Sequence, residues 1–402
     1  MAQADYGRRY DIDWLRTLAF GVLILYHTGM YYVADWGWHI KSEHTFAWLQ
    51  DVMMLTAPWR MSLLFFISAI ALALVGKRYS GGSLAILRSK RLLVPLLFGM
   101  FVIVAPQTYY EALSQNLIQP GFLSFWLQYI NPHTELLKEH HSVIGLLTWN
   151  HLWYLPYLWV YSLIVLALSG VLQALAATRV FQHIPAWIAA AGAVLALMII
   201  WFLLRQRFPV THALLDDWYS HGKYFLVFVS GYLFALQPHW WSAVIRQRRG
   251  LLLLAVLGYA FLIADRHELL LFLSSRFETS DTVRAFYGLV VSLEHWAWLL
   301  AAVGYAGFWL NRPGRLLDYA NHAVLPWYML HQTLIIVFAW WLKSARLPGY
   351  AEAPVLLILT VLGCLAGYEV IRRSRILSWL CGLKLAAGQK SGRTTNAIRS
   401  PV

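Results

Sequence analysis

Long apolar runs, broken by short polar clusters, dominate this 402-residue chain. Ten of them span roughly 17–25 charge-poor residues, the length a helix needs to cross a bilayer. They lie at about 14–34, 58–76, 92–111, 152–176, 184–204, 222–242, 250–270, 284–310, 323–343 and 353–371. Two are irregular: Asp265, Arg266 and Glu268 intrude on the seventh, and the tenth is short between Glu352 and Glu369. The pattern predicts an all-α polytopic membrane protein of about ten transmembrane helices.

Composition agrees: 59% of the residues are hydrophobic and only 13% are charged, where a soluble domain carries about 25% charged residues. Aromatics make up 16%, which fits interfacial belts of tryptophan and tyrosine. The net charge of +13 does not point to nucleic acid, because the basic residues sit in short clusters between apolar runs, as orientation signals do. With the N-terminus in the cytoplasm, the inner segments collect most of the Lys and Arg. Arg8 and Arg9, the Lys77–Arg91 cluster, Arg179, Arg246–Arg249, Arg312 and Arg315 are among them, with the tail from Arg372 through Lys384, Lys390, Arg393 and Arg399. An even number of crossings with both termini cytoplasmic follows. Arg8 and Arg9 precede an apolar run, but Asp11, Asp13 and Arg16 crowd its start and no A-x-A site follows, so it reads as a retained first helix.

The outer segments 35–57 and 112–150 are long and carry Trp36, Trp38, His39, His44, Glu135, His140 and His141. Long loops on one face usually hold function, so a polar substrate is expected there. Residues 1–384 read as one membrane domain and 385–402 as a disordered cytoplasmic tail. Cys364 and Cys381 imply neither a disulfide framework nor a metal site.

Ionisable residues within the runs are costly and face a cavity, a partner or the bundle interior. His27 lies just past the middle of the first run, Glu294 and His295 near the middle of the eighth, and His331 near the middle of the ninth. Arg16 sits about 16 Å below His27 on a helix rising 1.5 Å per residue. A shielded imidazole suits general-base chemistry on a hydroxyl, and Glu294 could orient it if the helices meet. The plainer reading is that each histidine only bonds a neighbouring helix. Arg60 opens the second run beside Trp59, either as an interfacial anchor or as a partner for an anionic acyl or acceptor group. Arg88 and Arg91 serve as positive-inside charge or as phosphate ligands. His151 begins the fourth run at the outer surface, where it could contact a sugar, and Asp216-Asp217-Trp218 reads as loop. Motifs of soluble nucleotide-binding and hydrolytic enzymes are missing.

Arg16 and His27, with ten residues between them, match the R-x10-H pattern of the membrane acyltransferase-3 family, and the chain resembles that family from Tyr10-Asp11-Ile12-Asp13-Trp14-Leu15-Arg16 onward. The resemblance continues through Phe65-Phe66-Ile67-Ser68, the Arg88/Arg91/Pro95 run, His151-Leu152-Trp153-Tyr154-Leu155 and Ala323–Thr333. It spans about residues 8–335 and looks nearest to the glucan biosynthesis protein C branch, associated with succinylation of periplasmic glucans. One departure is Ala69, where the family usually has glycine.

The resemblance implies an integral enzyme of the bacterial inner membrane that moves an acyl group from cytoplasmic acyl-CoA to an envelope glycan. Succinyl-CoA is favoured and acetyl-CoA is next, with no metal. His27 is expected as base, supported by Glu294 and His331. Arg16, Arg88 and Arg91 are expected to hold acyl-CoA; Arg60, His151 and His295 the acyl group or acceptor. Direct transfer and an acyl-enzyme both remain open, as does the oligomeric state, a homo-oligomer included. The rival is a transporter of an anionic metabolite or lipid-linked sugar, although no internal repeat supports it.

Overall fold

The computed structural model describes residues 8–76 and 78–383; the expected tail at 385–402 lies outside them. The described residues form helices and no β-strand. In chain order these are α1 (Tyr10–Tyr32), α2 (Trp48–Met54), α3 (Arg60–Gly76), α4 (Gly81–Phe98), α5 (Ala105–Ser114), α6 (Phe122–Tyr129), α7 (Tyr154–Ala167), α8 (Ser169–Ala177) and α9 (Arg179–His183). They continue with α10 (Ala186–Leu204), α11 (Trp218–Ala235), α12 (Pro238–Arg266), α13 (Leu271–Ser274), α14 (Asp281–Trp309), α15 (Arg315–Lys343), α16 (Gly349–Arg373) and α17 (Arg375–Leu380). Each of the ten apolar runs coincides with a helical stretch. Among the described residues, six stretches are long and apolar enough to cross a membrane by themselves, and the α7–α8 pair, bent by 62°, makes a seventh if it is one span.

Several boundaries differ from the sequence reading, for local reasons. The sixth run was expected to reach 242, with Arg246–Arg249 in a loop; instead the chain breaks after Ala235. Pro238 lacks an N–H to donate back and fits the first turn of a new helix, so α12 carries Trp240, Trp241 and Arg246–Arg249. The charges intruding on the seventh run lie at the far end of α12. There Arg266 pairs with Asp51 at 2.7 Å and Asp35 at 3.0 Å, and Asp265 accepts from Tyr287 at 2.6 Å. The third run starts earlier than expected, at Gly81, so Arg88 and Arg91 are helical.

Between α4 and α5 the helix loosens into a π-turn at Gly99–Ile103, just before Pro106, which cannot donate to the preceding turn. Carbonyls freed there are taken by side chains, as the bilayer interior demands. Phe101 O accepts from Trp126, Met100 O from Tyr129 and Ile103 O from Thr333. The π-turn is thereby tied to α6 and α15.

α3, α14 and α15 are central, while α10 and α12 are peripheral. Ala69 is fully buried, and close approach to α3 comes from the other side. A Cβ on Gly231 of α11 would stand 2.5 Å from Phe66 O, so the small residue lies on the facing helix.

Candidate active site

α1 packs along α15, which brings His27 against His331, with His27 Nδ1 2.8 Å from His331 Nε2. The proton positions follow from the carbonyls behind them. His331 Nδ1 lies 2.8 Å from Tyr328 O and 3.1 Å from Trp327 O, and a carbonyl can only accept. His331 Nδ1 therefore donates, its Nε2 accepts, and His27 Nδ1–H must be the donor between the rings. In this neutral pair, His27 Nε2 retains a free lone pair, with no protein hydrogen bond among the described residues. An orienting group that fixes which nitrogen is bare is what a general base requires.

A second network surrounds this pair. His151 Nε2 donates to the carbonyls of Tyr328 and Met329, each at 3.1 Å; its Nδ1 accepts from Gln107 at 3.1 Å. Gln107 also donates to Thr333 and accepts from Asn150 and Gln332. Gln332 donates to His39 Nε2 at 3.0 Å, and His39 Nδ1 meets Glu111 at 2.5 Å. Each donor has an acceptor, the condition under which a buried polar network rigidifies its surroundings.

His27, His39, Asn150 and His151 line a cavity of about 530 Å3, well within the size of ligand pockets. Its walls include Tyr26, Trp38, Trp149, Trp153 and Tyr224. Lys41 positions part of the rim by donating to the carbonyls of Met30, Val33 and Trp36, which ends α1 and turns Trp38 and His39 inward. The 205–217 loop supplies another part. Asp217 accepts from Tyr157 at 2.6 Å and from the His212 amide at 3.1 Å, and the His212 ring stacks on Trp153 with centroids 4.0 Å apart. Burial pushes the His212 imidazole down to about 4, against the opposing pull of Asp217, so it is neutral at neutral pH. Asp217 is thus a buried brace for the rim, more specific than a plain loop residue.

Arg60 contributes the cavity's cation. Its guanidinium carbon lies 3.2 Å from the Tyr26 ring centroid, the side chain is buried, and Nε and Nη1 have no hydrogen-bond partner among the described residues. The guanidinium lines the cavity, and a cation there suits an anionic or carbonyl oxygen.

Arg16, Arg88 and Arg91 stand towards the other end of the bundle and do not line this cavity. Arg16 donates to Asp13 at 2.8 Å and to Asn321. Arg88 reaches Ser68 O at 3.5 Å, Ser68 donates to Tyr154 at 2.7 Å, and Tyr154 donates to Leu64 O. The Phe-Phe-Ile-Ser and His-Leu-Trp-Tyr-Leu stretches are therefore locked together beside the arginines. Between the arginines and His27, Phe20 packs on Tyr328 with ring centroids 5.4 Å apart.

The structure separates the other candidates. Glu294, expected to orient His27, neither bonds it nor lines the cavity; His331 occupies that position. Glu294 is fully buried, and among the described residues both its oxygens and Nε2 of neighbouring His295 are unpartnered. His295 likewise does not line the cavity. Gln107, Asn150, Asn321 and Gln332 were missed as site residues. An amide in or beside an apolar run costs free energy unless bonded, and that cost was the available signal.

No curated protein and no solved structure matches the chain. The acyltransferase-3 family, described as an acyltransferase domain, matches residues 9–369, nearly the whole helical bundle and every residue of the cavity. That match favours group transfer over transport, and the chain belongs to the acyltransferase-3 family of membrane acyltransferases.

Proposed function

We propose that the protein moves an acyl group from acyl-CoA at the cytoplasmic face to a hydroxyl of a cell-envelope glycan at the outer face of a bacterial inner membrane. The observation that carries this reading is the bare Nε2 of His27 beside an aromatic-walled cavity. Aromatic faces and neutral hydrogen-bonding groups suit a sugar, and a base with a pinned tautomer suits its hydroxyl.

In this mechanism the sugar oxygen attacks the thioester carbonyl as His27 Nε2 takes the hydroxyl proton. The tetrahedral intermediate collapses with cleavage of the C–S bond. The proton on His27 then passes to the departing CoA sulfur, so base and thiol are both restored. Arg16, Arg88 and Arg91 are the proposed ligands of the CoA phosphates, about 16 Å along α1 from His27. The thioester then reaches upward past the Phe20–Tyr328 pair. A succinyl group fits this arrangement because its free carboxylate would pair with the Arg60 guanidinium that lines the cavity. Acetyl, which has no such carboxylate, is the second choice.

The glucan-modifying branch supplies the favoured acceptor, on the strength of the sequence resemblance alone. The test is release of free CoA by purified protein in vesicles, supplied with succinyl-CoA and a glucose oligosaccharide, with mass spectrometry of the glycan. Acceptor-dependent CoA release matched by ester formation is expected. Absence of both signals, with succinyl-CoA and with acetyl-CoA alike, would refute the proposal.

A further inference from the structure

A second cavity, of about 330 Å3, adjoins the first. It is walled by α5, the turn after it and the 137–148 segment, and both cavities are lined by His39, Thr148 and Asn150. No residue of the proposed chemistry reaches into it. Its polar lining consists of hydroxyls, amides and imidazoles, with no Lys or Arg; the one carboxylate, Glu111, is engaged by His39 at 2.5 Å. The side chains of Thr108, Gln115 and His140 line this space and make no hydrogen bond among the described residues, so their donors and acceptors are free for a ligand.

That chemistry suits a neutral, hydroxyl-rich molecule. A phosphate or a carboxylate would find no Lys or Arg there, and a hydrocarbon chain would strand the amides. We infer that the second cavity is a remote acceptor subsite, holding the glycan units next to the one that is acylated. This rests on the acyl-transfer reading above. The reacting unit lies over His27 against the aromatic walls. The chain continues past Trp38 and His39, where the cavities meet, and its further units meet Thr108, Gln115 and His140. His39 then has a positioning role: bonded to Gln332 and Glu111, it forms a fixed threshold between the subsites.

The experiment compares glucose with a β-linked glucose pentasaccharide as acceptors for succinyl transfer by the full-length protein in vesicles. The pentasaccharide is expected to have kcat/KM at least about 10-fold higher, since it makes contacts that glucose lacks. Gln115→Ala and Thr108→Val should each lower its kcat/KM by about 3- to 10-fold, mainly through KM, as expected for one lost hydrogen bond. Gln115→Trp, which fills the cavity, should erase the preference. All three should leave the rate on glucose unchanged, which also reports that the variants fold. Equal kcat/KM for the two acceptors, or equal losses on both in the variants, overturns the subsite. Transfer to neither acceptor overturns instead the reading on which it rests.

Discussion

Two buried polar clusters within the helical bundle each place ionisable residues near the middle of apolar runs. One joins His27, His331 and His151; the other contains Glu294 and His295. In the first cluster, carbonyls, amides and a threonine complete a network in which donors and acceptors match. In the second, both carboxylate oxygens of Glu294 and Nε2 of His295 lack partners. The first opens on a cavity and the second does not line it. Satisfied groups around one free lone pair on a cavity mark a prepared site; unsatisfied groups that do not line that cavity do not.

This contrast predicts how the two clusters respond to mutation. His331→Leu removes the acceptor for His27 Nδ1–H and should lower kcat about 100-fold, within the range assigned to general-base catalysis. His331→Gln offers an amide oxygen at a similar position and should recover much of that loss, a rescue that a purely structural role would not produce. Arg60→Met should raise KM for succinyl-CoA about 10-fold or more by deleting charge-assisted bonds. With acetyl-CoA the effect should be much smaller, so the ratio of the two KM changes is the readout.

The rim gives a pH test. His212 is held at about 4 in the folded protein and near 6.5 when unfolded, so the unfolded state binds the proton first. Stability is unaffected well above pH 6.5 and falls as pH drops from about 6.5 towards 4, by at most about 3 kcal/mol. His212→Gln should flatten that part of the thermal-stability profile. The smallest effect belongs to the second cluster: Glu294→Gln should leave kcat within about two-fold, measured at saturating substrates. A loss as large as that of His331→Leu would erase the contrast.

Much of this was legible in sequence because bilayer thickness imposes a helix length and charge clusters interrupt the runs. Arg16 and His27 were legible because both lie on one helix, where spacing fixes separation. Their partners were not. His27 meets His331 across 304 residues, and Arg16 meets Asn321 across 305, contacts set by how α1 and α15 pack. Glu294 was the expected partner because carboxylates commonly orient imidazoles, but depth along a run says nothing about which face a residue presents to which neighbour. The start of α12 was misplaced because hydropathy ran on through Trp240 and Trp241, while Pro238 decided the break.

The central claim is that His27 supplies the base and that its other nitrogen is committed to His331. His27→Asn tests both halves, because the asparagine amide can still donate towards His331 but cannot take a proton. The measurement is the single-turnover rate of ester formation in vesicles, with acyl-CoA and glycan saturating and acceptor binding followed separately. A folded variant that binds acceptor normally and transfers at least about 100-fold more slowly is the predicted result. Transfer at the wild-type rate would contradict the account.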